Sequence, residues 1–252
     1  MLILLAFCSL LFLLYALIPY FFIGSFAGTL LLFVFLGYRY WSLKLKTPQS
    51  WLILFPPVLF LSSYYLFYWA LRAIFTVPVY IPYFASMVFF GLGWMLFFSL
   101  RDLRGYTALP HHNNRVILNS ITLITGYGFF VFLYLFQAEM WMKLLLTFFI
   151  MFLLFFQAVL WWSRKDERLS IFLSLFGAFV LTELFWIIGF LPQDYFIIAL
   201  LLLCLQHMLM GIIQSYCKEG LSQNLLMEYI AIPIILIVVI LLTSRWIPIT
   251  PL

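Results

Sequence analysis

The chain has 252 residues, of which 67% are hydrophobic, 22% aromatic and only 8% charged, and its net charge is +5. A water-soluble domain carries roughly 25% charged residues, so this composition excludes a soluble globule and indicates a surface that mostly faces lipid. The basic residues stand singly or in short groups between apolar runs, which is typical of contact with anionic lipid headgroups and argues against a nucleic-acid partner.

The apolar runs predict an all-α fold, a polytopic integral membrane helix bundle with about nine transmembrane helices. In lipid every backbone amide needs a partner within its own segment, so long apolar runs become helices. The first run lacks the charged start and the cleavage site of a signal peptide, and we expect it to be retained as a helix. Together the runs predict a single transmembrane domain over residues 1–252. They lie at residues 1–18, 21–41, 51–72, 82–100, 116–137, 141–162, 170–191, 195–217 and 226–246.

The placement of Lys and Arg predicts the orientation of this bundle. With nine spans the connections alternate between two faces, and ten basic residues fall on one face against three on the other. Because cytoplasmic loops carry the excess of Lys and Arg, the N-terminus is predicted in the cytoplasm and the C-terminus outside. The ten are Arg39, Lys44, Lys46, Arg101, Arg104, Arg115, Arg164, Lys165, Arg168 and Lys218; the three are Arg72, Lys143 and Arg245.

Prolines and glycines inside the runs predict local features of the helices. Pro56 and Pro57 are expected to kink the third span. Gly91-Leu92-Gly93 and Gly126-Tyr127-Gly128 lack the strand–turn–helix context of a nucleotide fingerprint, so we interpret them as packing or kink sites.

Glu183 and His207 form the first candidate site, an intramembrane polar pair. A carboxylate inside a span costs about 2.5–3.5 kcal/mol, so Glu183 is expected to face the bundle interior, to be protonated, or both. Counting along the two runs from the short turn between them places the residues about 6 Å apart in depth. A structural pair that joins two helices is favoured over a proton-transfer pair, and the absence of any contact is the least favoured alternative.

The second candidate site is a basic loop with two histidines. It consists of Arg101, Arg104, His111, His112 and Arg115. A solvated turn is the favoured interpretation, and contact with a phosphate or lipid headgroup is the alternative. Zinc needs three or four ligands, and the cysteines Cys8, Cys204 and Cys217 have no metal-binding spacing, so neither a metal nor another cofactor is predicted.

The C-terminal two thirds resembles an uncharacterised polytopic membrane family of candidate phyla radiation bacteria. The resemblance rests on a series of short sequences: Thr182-Glu183-Leu184, Phe190-Leu191-Pro192, Lys218-Glu219-Gly220-Leu221, Glu228-Tyr229 and Leu242-Thr243-Ser244-Arg245-Trp246. The first four spans do not carry it. It implies a multi-pass topology and a bacterial cytoplasmic membrane, and it transfers no catalytic residue.

The scarcity of polar groups in the spans favours a non-catalytic membrane subunit or scaffold, with the lipid bilayer and a membrane protein as partners. The first alternative is a transporter or small-molecule conduit centred on Glu183 and His207. The second is a membrane-embedded lipid-modifying enzyme that uses the basic loop, although enzymatic activity is less expected than its absence. A conduit requires a polar cavity at Glu183, an enzyme requires a cavity beside His111 and Arg115, and a scaffold requires a packed core.

Overall fold

The structure, a computed structural model, describes seven helices and two shorter helical stretches. The residues described are 8, 10–14, 24–31, 55–74, 80–101, 112–162, 167–191, 193–218 and 223–243, and none of them forms a strand. The helices are α1 (Phe55–Ile74), α2 (Tyr80–Arg101), α3 (His112–Leu135), α4 (Met140–Trp162), α5 (Glu167–Ile188), α6 (Tyr195–Lys218) and α7 (Gln223–Thr243). The helical stretches 10–14 and 24–31 precede them.

The seven helices correspond to the third to ninth apolar runs. Their ends differ from the predicted ends by at most four residues, the difference found at Phe55 (predicted 51) and at His112 (predicted 116). The first two runs lie mostly outside the described residues. The all-α class is therefore confirmed for the part of the chain that the structure describes.

Four helices among the described residues are long and apolar enough to cross a membrane. At about 1.5 Å per residue, some 20 residues span the hydrocarbon core of a bilayer, about 30 Å thick. These helices indicate a membrane protein. The segments that meet the requirement are Val116–Leu135, Met140–Val159, Arg168–Ile188 and Tyr195–Cys217.

Pro56 and Pro57 occupy the first turn of the described helix α1, which begins at Phe55. The first backbone N–H groups of a helix have no intrahelical acceptor, so proline removes no hydrogen bond there. The pair therefore stands at the start of α1 and not in its middle, where a kink was expected. A proline that does lie inside a helix is Pro233 of α7.

The chain folds as two compact units, residues 1–125 and residues 126–252. The core of the first unit is aromatic. Phe89 stacks against Phe12 and Phe60 at ring-centroid distances of 5.4 and 5.8 Å, and the ring of Tyr65 meets Phe12 edge-on at 5.1 Å. Such offset and edge-to-face pairs contribute beyond the area that they bury.

Hydroxyl groups connect the helices of the first unit. The Oη atom of Tyr65 lies 2.9 Å from Ser25 Oγ and 2.8 Å from Thr29 Oγ1, which ties the stretch 24–31 to α1. Ser63 Oγ donates to the backbone oxygen of Thr125 at 2.7 Å and ties α1 to α3.

In the second unit α6 packs against three other helices, α4, α5 and α7, and α4 packs closely on α5. Gly177 of α5 makes this packing tight. A Cβ atom at this position would lie only 3.0 Å from Ile213 Cδ1 and 3.2 Å from the ring of Phe155. The three helices α4, α5 and α6 therefore meet at these three residues.

Candidate functional site

Glu183 lies on the outward face of α5, where its side chain is exposed. Within the described residues this position differs from the expectation that the side chain faces the bundle interior. No hydrogen bond or ion pair joins Glu183 to another residue of the described part. Its exposed neighbours on the same helix are otherwise apolar apart from Arg168 at the helix start.

Glu183 lies inside the segment of α5 that is long and apolar enough to cross a membrane. The residue lies five positions before the helix end at Ile188, which is about 7–8 Å along the axis. Helical side chains point towards the N-terminus of their helix, so this side chain is directed away from the nearer end. Its polar group therefore lies within the apolar depth of the segment Arg168–Ile188.

His207 is also exposed, on α6. It lies twelve residues after Tyr195, about 18 Å along the axis. A direct Glu183–His207 pair stays a prediction.

Three threonine hydroxyl groups of the described spans are satisfied within their own helices. Thr122, Thr147 and Thr182 each donate to the backbone oxygen four residues earlier, at 2.9, 2.7 and 2.7 Å. This bond satisfies a hydroxyl group inside an apolar environment without a second helix. These residues therefore do not converge on a ligand.

The profile of one protein family matches residues 42–243, a range that includes all seven helices as well as Glu183 and His207. The chain belongs to the DUF5656 family. The description of this family is "Protein of unknown function". The expected membership of an uncharacterised family is thereby confirmed, whereas the family match does not bear on the membrane or on the bacterial phylum.

Neither the curated proteins nor the solved structures include one with detectable similarity to this chain. The geometry of the DUF5656 region is therefore the basis for assigning it a function.

The basic loop of the second candidate site lies largely beyond the described residues. Arg104 and His111 are outside them, while Arg101 ends α2, His112 begins α3 and Arg115 lies in the first turn of α3. Its role as a headgroup or phosphate site stays a prediction. Within the described residues, no group of three His, Cys, Asp or Glu residues lies close enough to hold a metal ion.

Buried amides are the polar feature of the DUF5656 region that sequence reasoning missed. Gln206 is 1% exposed and packs on the backbone of Gly126, and its Oε1 atom accepts no hydrogen bond among the described residues. Gln193, in the turn between α5 and α6, is fully buried, and neither of its side-chain amide atoms has a described partner. For Gln206, the sequence signal for a buried polar group was a single amide side chain inside an apolar run.

A third set of buried polar groups lies where α4, α5 and α6 meet. Gln157, Ser174 and Gln214 are 6%, 0% and 5% exposed, and each lies within three residues of the contact between Phe155, Gly177 and Ile213. Ser174 Oγ donates to the Ser170 backbone oxygen at 2.6 Å. The hydroxyl group of Ser174 is therefore satisfied within its own helix, whereas the buried Oε1 atom of Gln157 accepts no hydrogen bond among the described residues.

Proposed function

We propose that this DUF5656 chain is a multi-pass protein of the bacterial cytoplasmic membrane that acts as a non-catalytic subunit or scaffold. In this proposal it crosses the bilayer about nine times with a cytoplasmic N-terminus, and it binds another membrane helix through the outward face of α5. The four candidate spanning helices support the membrane placement. The uneven distribution of Lys and Arg supports the orientation.

The observation that carries the proposal is the exposed carboxyl group of Glu183 on a spanning helix. Exposure to acyl chains leaves a carboxyl group without a hydrogen-bond partner, at a cost of several kcal/mol. A neighbouring membrane helix with a hydrogen-bond donor at the same depth removes that cost. Polar residues on otherwise apolar helices drive association in this way.

The same observation favours a contact surface over the conduit. A conduit requires Glu183 to line a polar path inside the bundle, whereas its side chain points outward from α5. The lipid-modifying enzyme stays the second alternative, since Arg104 and His111 of its basic loop lie outside the described residues.

A photo-crosslinking amino acid at Phe179 tests the proposed surface in native membranes. Phe179 is 59% exposed and lies one turn from Glu183 on the same face. We expect a discrete protein adduct from this position, detected as a band of raised mass after irradiation. The additional substitution Glu183→Leu should weaken the band, because it removes the hydrogen-bonding group that holds the partner.

Ile235 of α7 is the matched control. It is 61% exposed, and all the described exposed side chains of α7 are apolar, as expected for contact with lipid alone. The same crosslinker there should give no protein adduct. Equal bands from both positions, or no band from Phe179, would contradict the proposal. A proton-dependent flux in liposomes that Glu183→Gln abolishes would instead support the transporter.

A further inference from the structure

The outward face of α5 contains a heptad seam. Phe172, Phe176, Phe179, Glu183 and Trp186 follow one another at steps of 4, 3, 4 and 3 residues. This alternation has a mean period of 3.5 residues, which is the spacing of the a and d positions along which two helices wind around each other. We call these five residues the α5 seam.

Every residue of the α5 seam is exposed. The three phenylalanines keep 65%, 53% and 59% of their surface exposed, and Trp186 keeps 44%. The helices α4 and α6 pack on the opposite side of α5, through Gly177 and its neighbours. The seam therefore has no partner helix among the described helices of the second unit.

Glu183 occupies an a position of this seam, between Phe179 and Trp186. A single polar residue at an a position sets the register and the number of helices in a coiled coil. In a parallel pair the a residues of the two helices face each other at the same level. A partner must therefore present a group that hydrogen-bonds with a carboxyl group at the depth of Glu183.

A second copy of the chain meets this requirement without any further partner. Two copies inserted in the same orientation present their α5 helices in parallel, related by a twofold axis along the membrane normal. Each residue near that axis then meets its own counterpart at the same depth. A carboxylate only accepts hydrogen bonds, whereas a protonated carboxyl group also donates one, so this pairing requires a proton on one of the two Glu183 side chains.

We propose that the α5 seam is a homodimer interface in which Glu183 of one copy hydrogen-bonds with Glu183 of the second. This inference rests on the proposed function, since it names the partner of the same surface. Aromatic side chains above and below the pair pack around it and exclude lipid.

Cysteine crosslinking in liposomes tests the seam position by position, with the native cysteines Cys8, Cys204 and Cys217 replaced. We expect oxidation to join copies that carry Phe172→Cys or Phe179→Cys into a species of twice the 29.8 kDa chain mass. Ile171→Cys is the matched control, because Ile171 is adjacent to Phe172 and also exposed, at 42%, but lies off the seam. Equal crosslinking at 171 and 172 overturns the interface.

The role of Glu183 is tested by the dissociation constant of the dimer, measured from energy transfer between labelled copies at increasing lipid-to-protein ratios. Glu183→Gln keeps a donor and an acceptor and should leave this constant unchanged within about threefold. Glu183→Leu should raise it about 3- to 30-fold, the range of interhelical hydrogen bonds in membranes. An unchanged constant in Glu183→Leu overturns the hydrogen-bonded pair.

The two proposals fail in distinguishable ways. An adduct at Phe179 in native membranes whose mass is not that of two copies, together with monomers in liposomes, overturns the homodimer and leaves the docking surface intact. The absence of both the adduct and the dimer overturns both.

Discussion

Gly126 has no side chain and leaves room for the polar side chain of Gln206 inside an apolar bundle. The amide of Gln206 lies against the backbone of α3, in the space that a Cβ atom of residue 126 would occupy. The sequence predicts a packing or kink site at Gly126, and the packing role is confirmed. The sequence could not name the partner, because contacts between helices depend on rotations that a one-dimensional pattern does not contain.

At the residue scale we therefore expect Gly126→Ala to destabilise the protein. The Cβ atom would lie 2.8 Å from both Cδ and Nε2 of Gln206, and overpacking of this kind costs about 1–3 kcal/mol. Thermal unfolding in detergent measures the effect. Combining the change with Gln206→Ala should recover part of the loss, because it removes the atoms that clash.

Gly91→Ala is the control for this prediction. Gly91 lies in α2, and a Cβ atom there would have no neighbour within 4 Å. The substitution should leave the stability unchanged or raise it by up to about 1 kcal/mol, since alanine favours helix more than glycine. Equal losses in the two alanine variants would show that Gly126 does not act through Gln206.

At the element scale, the stretch 24–31 is held to α1 by Tyr65. Ser25 Oγ donates to the Leu11 backbone oxygen at 2.6 Å, and Thr29 Oγ1 donates to the Ser25 backbone oxygen at 2.6 Å. Each hydroxyl group has one proton, so both protons are already used. The Tyr65 hydroxyl supplies the remaining proton and can donate to only one of the two side chains at a time.

Tyr65→Phe should therefore cost one hydrogen bond rather than two. We expect a loss of about 0.6–2 kcal/mol in the free energy of unfolding, measured in detergent. The ring itself stays in the aromatic core with Phe12. A double-mutant cycle compares the losses of unfolding free energy in Tyr65→Phe, in Ser25→Ala and in the variant that carries both substitutions. Additive losses from the two substitutions would contradict the shared bond.

The outward direction of Glu183 marks the limit of sequence reasoning at the scale of a helix. In water, an apolar stripe identifies the buried face. In lipid, the interior and the surroundings are both apolar, so the phenylalanines of the α5 seam look like core residues. Helix existence and ends followed from apolar length and from chain breakers such as Pro192, whereas the exposed side of α5 required coordinates.

At the scale of the whole molecule, seven of the nine predicted runs correspond to described helices, and four of these helices are long and apolar enough to span a membrane. Length and hydropathy are sufficient for this level of description, because lipid forces apolar segments into helices. The single-domain organisation and the orientation stay predictions. The orientation concerns which connections between helices lie on which side of the bilayer, and the packing within each unit does not bear on that.

The predicted orientation can be tested with two single cysteines in a cysteine-free background. Ser163 lies in the basic connection between α4 and α5, and Asp194 lies in the turn before α6, where its side chain is exposed and its Oδ1 atom accepts a hydrogen bond from the Phe196 backbone N–H at 3.1 Å. The neighbouring Gln193 is unsuitable because it is fully buried. In the N-terminus-inside orientation, residue 163 is cytoplasmic and residue 194 is external.

We expect a membrane-impermeant thiol reagent to label Asp194→Cys on intact spheroplasts and to label Ser163→Cys only after the membrane is opened. The physical basis is the retention of Lys and Arg on the cytoplasmic side, because ten of the thirteen fall on the face that is predicted to be cytoplasmic. The reverse pattern would invert the orientation while keeping the number of spans. Labelling of both residues from the same side would instead show that α5 does not cross the membrane, which would remove the docking face proposed for it.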